Sequence, residues 1–134
     1  MTLNRQKKIL IVEDDLDIRE LIAEILTEEG YIIATAENGK IGLDYLVACK
    51  IEDRPDCIIL DLMMPVMTGI QVLENLQKDF PTDLAKIPVI VATAKGSPKE
   101  ELMILSGNVT TIRKPMDVNE LIDIVAKQSQ RTMN

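Results

Sequence analysis

The sequence predicts an α/β domain built on a doubly wound, five-stranded parallel sheet with five helices, and three observations predict it. Five short, apolar, β-branched runs recur along the 134 residues. Segments with helical spacing lie between and after them. Such alternation supplies the crossover connections that parallel neighbours require, and covers both faces of the sheet with helices.

The runs are residues 9–12, 31–36, 57–60, 89–92 and 109–112, each read as a strand. The first and third are continuously apolar, as strands covered on both faces are. The clearest helix carries Ile18, Leu21, Ile22, Ile25 and Leu26 at i, i+3, i+4, i+7, i+8 spacing, and Val118, Leu121, Ile122 and Val125 form a second such stripe. Thr68 with Gln71, Ser97 with Glu100 and Asp117 with Glu120 have the spacing that satisfies the orphan amides of a first helical turn. Pro98 holds the favoured first helical position, and the segment it opens, residues 99–106, has the weakest periodicity and is expected to be short or mobile. The tail from Gln128 to Asn134 is polar and expected to fray.

Hydrophobic residues make up 46% of the chain but aromatic ones only 2%, so the core of this single domain must come from Ile, Leu, Val, Met and Ala. The formal charge of -7 repels nucleic acid and anionic membranes. Cys49 and Cys57 form no CxxC pair and are read as reduced thiols. With no His in the chain, His-based general base catalysis, Ser-His-Asp triads and the common zinc sites are excluded. The basic start is followed by too few apolar residues for a signal peptide, and no run has bilayer-spanning length, so a cytoplasmic location is expected.

In open sheets of this class ligands bind beyond the carboxyl ends of the strands, where the strand order reverses. Glu13, Asp14 and Asp15 follow the first strand, Asp61 follows the third, Thr93 closes the fourth and Lys114 follows the fifth. If the first and third strands are neighbours, the carboxylates of Glu13, Asp14 and Asp61 converge, and their repulsion raises their pKa values unless a cation sits among them. Oxygen-only ligands with room for water and a phosphate oxygen suit Mg²⁺ better than Ca²⁺, and the lack of His and paired Cys argues against Zn²⁺. Asp15 is read as a helix cap, Pro65 as a turn former and Gly69 as a helix-start residue that contributes shape. Met63, Met64 and Met67 are expected to fill space.

Taken in order, Ile9-Leu10-Ile11-Val12-Glu13-Asp14, then Asp61-Leu62-Met63-Met64-Pro65 with Gly69, then Thr93-Ala94, then Lys114-Pro115, the chain resembles the receiver (CheY-like) domain of two-component response regulators over about residues 7–128. The resemblance implies a flavodoxin-like sheet of order 2-1-3-4-5. It implies that Asp61 is the phosphoacceptor, that Asp14 ligates Mg²⁺ directly and Glu13 through water, and that the Met63 carbonyl completes the protein ligands with Asp61. It assigns Thr93 and the amide of Ala94 to the phosphoryl oxygens. Lys114 would pair with Asp61 and then with its phosphate, aimed inward by a cis Lys114-Pro115 bond. A carboxylate is a weak nucleophile, so its attack on phosphorus depends on alignment and charge neutralisation.

Two departures stand out. Thr111 replaces the usual aromatic residue three positions before the Lys, and Gly107-Asn108 replaces a common Gly-Ala pair. Output is therefore expected to run through residues 99–106 or the loop near Gly96. Met63 and Lys95 hold the positions that tune water access in this family, and the apolar Met63 is expected to slow hydrolysis.

The resemblance implies a stand-alone, single-domain response regulator of a two-component or phosphorelay pathway. It takes phosphate from a sensor histidine kinase or a His phosphotransfer protein, hydrolyses it slowly, and changes its affinity for a downstream effector protein. No direct nucleic-acid or membrane partner is expected, nor turnover of an external substrate. The exposed face of the last helix suits a phosphorylation-linked dimer or a solvated surface equally. The alternative, a phosphate-independent interaction module, is opposed by the intact Glu13, Asp14, Asp61, Thr93 and Lys114. An aspartyl-phosphate phosphatase needs a second Asp where Met63 stands.

Overall fold

Strands written as apolar runs pair here in one five-stranded parallel sheet of order β2-β1-β3-β4-β5. The computed structural model describes residues 6–64, 66–78, 82–94 and 108–130. In chain order the elements are β1 (Lys8–Val12), α1 (Leu16–Glu28), β2 (Ile32–Ala36), α2 (Gly39–Ala48), a 3₁₀ turn (Ile51–Asp53), β3 (Cys57–Asp61), α3 (Gly69–Lys78), a single helical turn (Thr82–Ala85), β4 (Val89–Thr93), β5 (Val109–Arg113) and α4 (Val118–Gln130).

Each strand alternates its side chains between two cores, because successive residues point to opposite faces. Leu10, Val12, Ile58, Leu60, Val89 and Val91 join the core under α2 and α3. Ile9, Ile11, Ile59, Ile90, Ala92 and Ile112 join the core under α1 and α4. All five residues of β3 and of β4 are buried, as central strands of a doubly covered sheet should be.

The predicted caps explain where helices begin. The Asp15 carboxylate accepts from the Ile18 amide at 3.0 Å and opens α1. Ahead of α3, the Thr68 amide donates to Gln71 Oε1 at 2.9 Å while the Gln71 amide donates to Thr68 Oγ1 at 3.2 Å, a reciprocal box. Asp117 Oδ1 accepts from the amides of Asn119 and Glu120 before α4.

One expectation lies outside the described residues, one element was not expected, and one expectation is corrected. Among the described residues there are four helices of ten or more residues, not five, since the expected fourth, residues 99–106, lies outside the described residues together with its Ser97-Pro98 start. The turn at Thr82–Ala85 was not predicted, being too short to show periodicity. The tail does not fray from Gln128: α4 runs to Gln130, with Gln128 and Ser129 only 5% and 2% exposed. Gln128 stands seven residues after Leu121, so it continues the buried stripe of Leu121 and Val125 despite its polarity.

Gly69 is required by close packing. A Cβ there would lie 2.7 Å from the Asp61 carbonyl oxygen and 2.8 Å from Leu62 Cα, while its own amide donates to the Leu62 carbonyl at 2.9 Å. The start of α3 therefore rests directly on the end of β3. Gly69→Ala is expected to destabilise the fold by about 1–3 kcal/mol, because backbone atoms must give way. A urea midpoint equal to wild type would contradict this.

Candidate functional site

Parallel registry brings the acidic residues together. Val12 stands opposite Leu60, so Glu13 and Asp61 emerge side by side at the carboxyl edge of β1 and β3. The chain crosses from β1 to β2 on one side and continues to β3 and β4 on the other, which makes this the point where strand order reverses.

Glu13 and Asp61 are 3% and 4% exposed, whereas Asp14 faces solvent. One carboxylate oxygen from each of the three lies within 4.8 Å of the others. Lys114 Nζ sits 3.1 Å from Asp61 Oδ1 and 3.2 Å from Glu13 Oε1. Asp61 Oδ1 also accepts from the Met63 amide at 3.2 Å, and Glu13 Oε2 from the Asp15 amide at 3.3 Å. The Lys114 amide donates to the Thr93 carbonyl at 2.8 Å, and Lys114-Pro115 is cis. Thr93, buried, ends β4 one residue beyond Ala92, the partner of Asp61, and Ala94 is exposed after it.

Burial pushes the Glu13 carboxyl up to about 7, with the charge of Asp61 adding to the rise, while the Asp15 amide and Lys114 oppose it. At Glu13 repulsion acts in the expected direction, but lost hydration is the larger cause. Burial works against the charge of Lys114, yet its hydrogen bond to Asp61 and the charges of Asp61 and Glu13 outweigh that and raise its pKa.

Three carboxylates against one Lys leave the cluster short of positive charge. An all-oxygen donor set with one solvent-facing member fits a hard divalent cation. The acidic cluster Glu13, Asp14 and Asp61 is typical of the receiver Mg²⁺ site.

The methionines divide. Met64 is buried and Met67 packs against the same core, but Met63 is 70% exposed and fills no space, because it lies beyond the end of β3 where the chain leaves the sheet. Asp15 serves as the predicted cap and Thr111 is exposed on β5. Pro65, Lys95, Gly96 and Gly107 lie outside the described residues. Arg19, which the sequence did not single out, donates from Nη1 to the Glu13 carbonyl at 2.8 Å. Its only signal was a charged residue set next to the apolar stripe of α1. Among the described residues no helix is long and apolar enough to cross a membrane.

The sign of the Glu13 shift predicts a pH dependence. The folded protein keeps a proton on Glu13 that the unfolded chain loses from 4.5 upward, so this contribution to stability is full below that pH and is lost as pH rises through about 7. In chelator-treated buffer, the urea midpoint of wild type should therefore fall relative to Glu13→Gln across that window. A constant difference between the two would contradict it.

The family model for the response regulator receiver domain matches residues 9–126. The chain is 36% identical to sporulation initiation phosphotransferase F of Bacillus subtilis, over 90% of this chain and 92% of that protein. It is 34% identical to the uncharacterised transcriptional regulatory protein YrkP of the same organism, over 92% of this chain but 50% of that protein, so it spans about half of that relative's length. Among solved structures, the signal receiver domain of a signal transduction histidine kinase from Syntrophus aciditrophicus matches with a TM-score of 0.83 at 30% identity, covering 96% of this chain and 93% of that one.

Proposed function

This chain belongs to the response regulator receiver domain family, and from that premise we propose that it accepts a phosphoryl group on Asp61, in a Mg²⁺-dependent reaction, and signals by changing its protein partner. The observation that carries this reading is the setting of Asp61: buried at the end of β3, 3.1 Å from Lys114 and clustered with Glu13 and Asp14.

The donor is a phosphohistidine on a sensor kinase or His phosphotransfer protein. An Asp61 carboxylate oxygen bonds to phosphorus as the N–P bond breaks, and the electron pair of that bond returns to the imidazole nitrogen. Glu13, Asp14, Asp61 and the Met63 carbonyl would hold Mg²⁺, which when bound supplies positive charge to the transferred group. Lys114 pairs with Asp61 before transfer and then with a phosphoryl oxygen. The Thr93 hydroxyl and the Ala94 amide donate to the remaining oxygens, and the shift of Thr93 carries the event into the loop after β4. Attack of water on phosphorus later restores the Asp61 carboxylate and releases phosphate.

An apolar groove of about 440 Å³ beside Lys114, lined by Ile18, Leu21, Ile22, Met116 and Val118, supports a protein as the donor. Leu21 and Val118 expose large apolar surface there. The likeness to sporulation initiation phosphotransferase F over 92% of its length supports a role in passing phosphoryl groups.

Incubation with acetyl phosphate and Mg²⁺, followed by intact mass under mildly acidic conditions, should give one phosphoryl adduct that is lost in Asp61→Asn and lost with chelator. No adduct on folded wild-type protein, or an undiminished one on the variant, would overturn the assignment; the first result would favour a phosphate-independent interaction module.

A further inference from the structure

We propose that Arg19 is a positioning residue for the metal-binding pair Glu13 and Asp14, acting through the backbone that joins them; this rests on the reading of the acidic cluster as a Mg²⁺ site. The two carbonyls flanking Asp14 both accept from Arg19. Its guanidinium reaches the Glu13 carbonyl at 2.8 Å, and its amide reaches the Asp15 carbonyl at 2.9 Å as the first bond of α1. Asp14 is thus held between two points fixed to one helical residue.

The surrounding contacts explain why the guanidinium bond is the sensitive one. β1 ends at Val12, and the Glu13 amide still reaches the sheet by donating to the Ala36 carbonyl at 3.1 Å. Asp15 is secured by its cap on Ile18. The Glu13–Asp14 peptide lies between these anchors, and its carbonyl is held by the Arg19 side chain. That peptide sets the directions of both carboxylates. Without the guanidinium it can rotate while sheet and helix stay in place, and the ligand geometry loosens. A loosened carboxylate pair matters most to a cation with strict octahedral demands such as Mg²⁺. The planar fork of the half-buried guanidinium holds that carbonyl in a direction that a flexible ammonium does not reproduce.

Arg19→Met keeps the aliphatic stem and removes both the donor and the charge. Calorimetric titration with Mg²⁺ alone should show affinity about tenfold weaker in R19M than in wild type, the loss expected when a partner that orients ligands is removed. Arg19→Lys should fall between the two. Metal-free R19M should melt cooperatively near wild type while the amides of residues 13–15 exchange faster, whereas a contribution of Arg19 to global stability alone would lower the melting temperature and leave the Mg²⁺ affinity of the folded protein unchanged. If R19M does not fold, Arg19→Gln repeats the test. Wild-type Mg²⁺ affinity in either folded variant overturns the inference and leaves the phosphoacceptor reading standing. Failure of the wild-type protein itself to bind Mg²⁺ overturns that reading and the inference with it.

Discussion

Carboxylates lose hydration when buried and repel one another when close, and Glu13 and Asp61 suffer both at the end of adjacent parallel strands. Lys114 is the compensation the chain itself provides, contacting both within 3.2 Å. A single ammonium does not balance three carboxylates, so the site is built with an excess of negative charge. Such an excess favours a hard cation, and a bound cation in turn favours the oxygens of a phosphoryl group.

Much of the fold is explained by holding this unfavourable cluster together. β1 and β3 bring the carboxylates alongside each other, β4 ends in the buried Thr93, and the chain beyond β5 returns Lys114 to the same edge. Two apolar cores of Ile, Leu and Val fix the sheet from both faces, so the strand ends cannot separate to relieve repulsion. At Gly69 the start of α3 touches the backbone of Asp61 and Leu62, leaving no room for β3 to slide. Arg19 performs the corresponding task for the loop after β1.

How much was legible follows from how local each signal is. The strands could be read because β-branched apolar runs leave few alternatives, and the caps at Asp15 and Thr68 because a cap depends on residues three positions apart. The convergence of Glu13, Asp14 and Asp61 needed only the assumption that the first and third strands are neighbours. Roles for Thr93, Ala94 and Lys114 came from the resemblance, since nothing in a lone Thr or a Lys-Pro pair specifies phosphate. What escaped depends on tertiary placement: the burial of Gln128 and Ser129, the exposure of Met63 and the reach of Arg19 back to Glu13. Dominance of burial over repulsion at Glu13 is likewise a property of the assembled sheet edge.

The central claim is that Asp61, and no other member of the cluster, carries the phosphoryl group. A crystal structure grown with beryllium fluoride and Mg²⁺ tests it most directly, because the fluoride complex mimics an acyl phosphate at the reacting oxygen. It should show beryllium bonded to an Asp61 carboxylate oxygen, with Lys114 and Thr93 contacting its fluorides. Beryllium bonded to Glu13 or Asp14, or an Asp61 left unmodified beside bound Mg²⁺, would contradict the account.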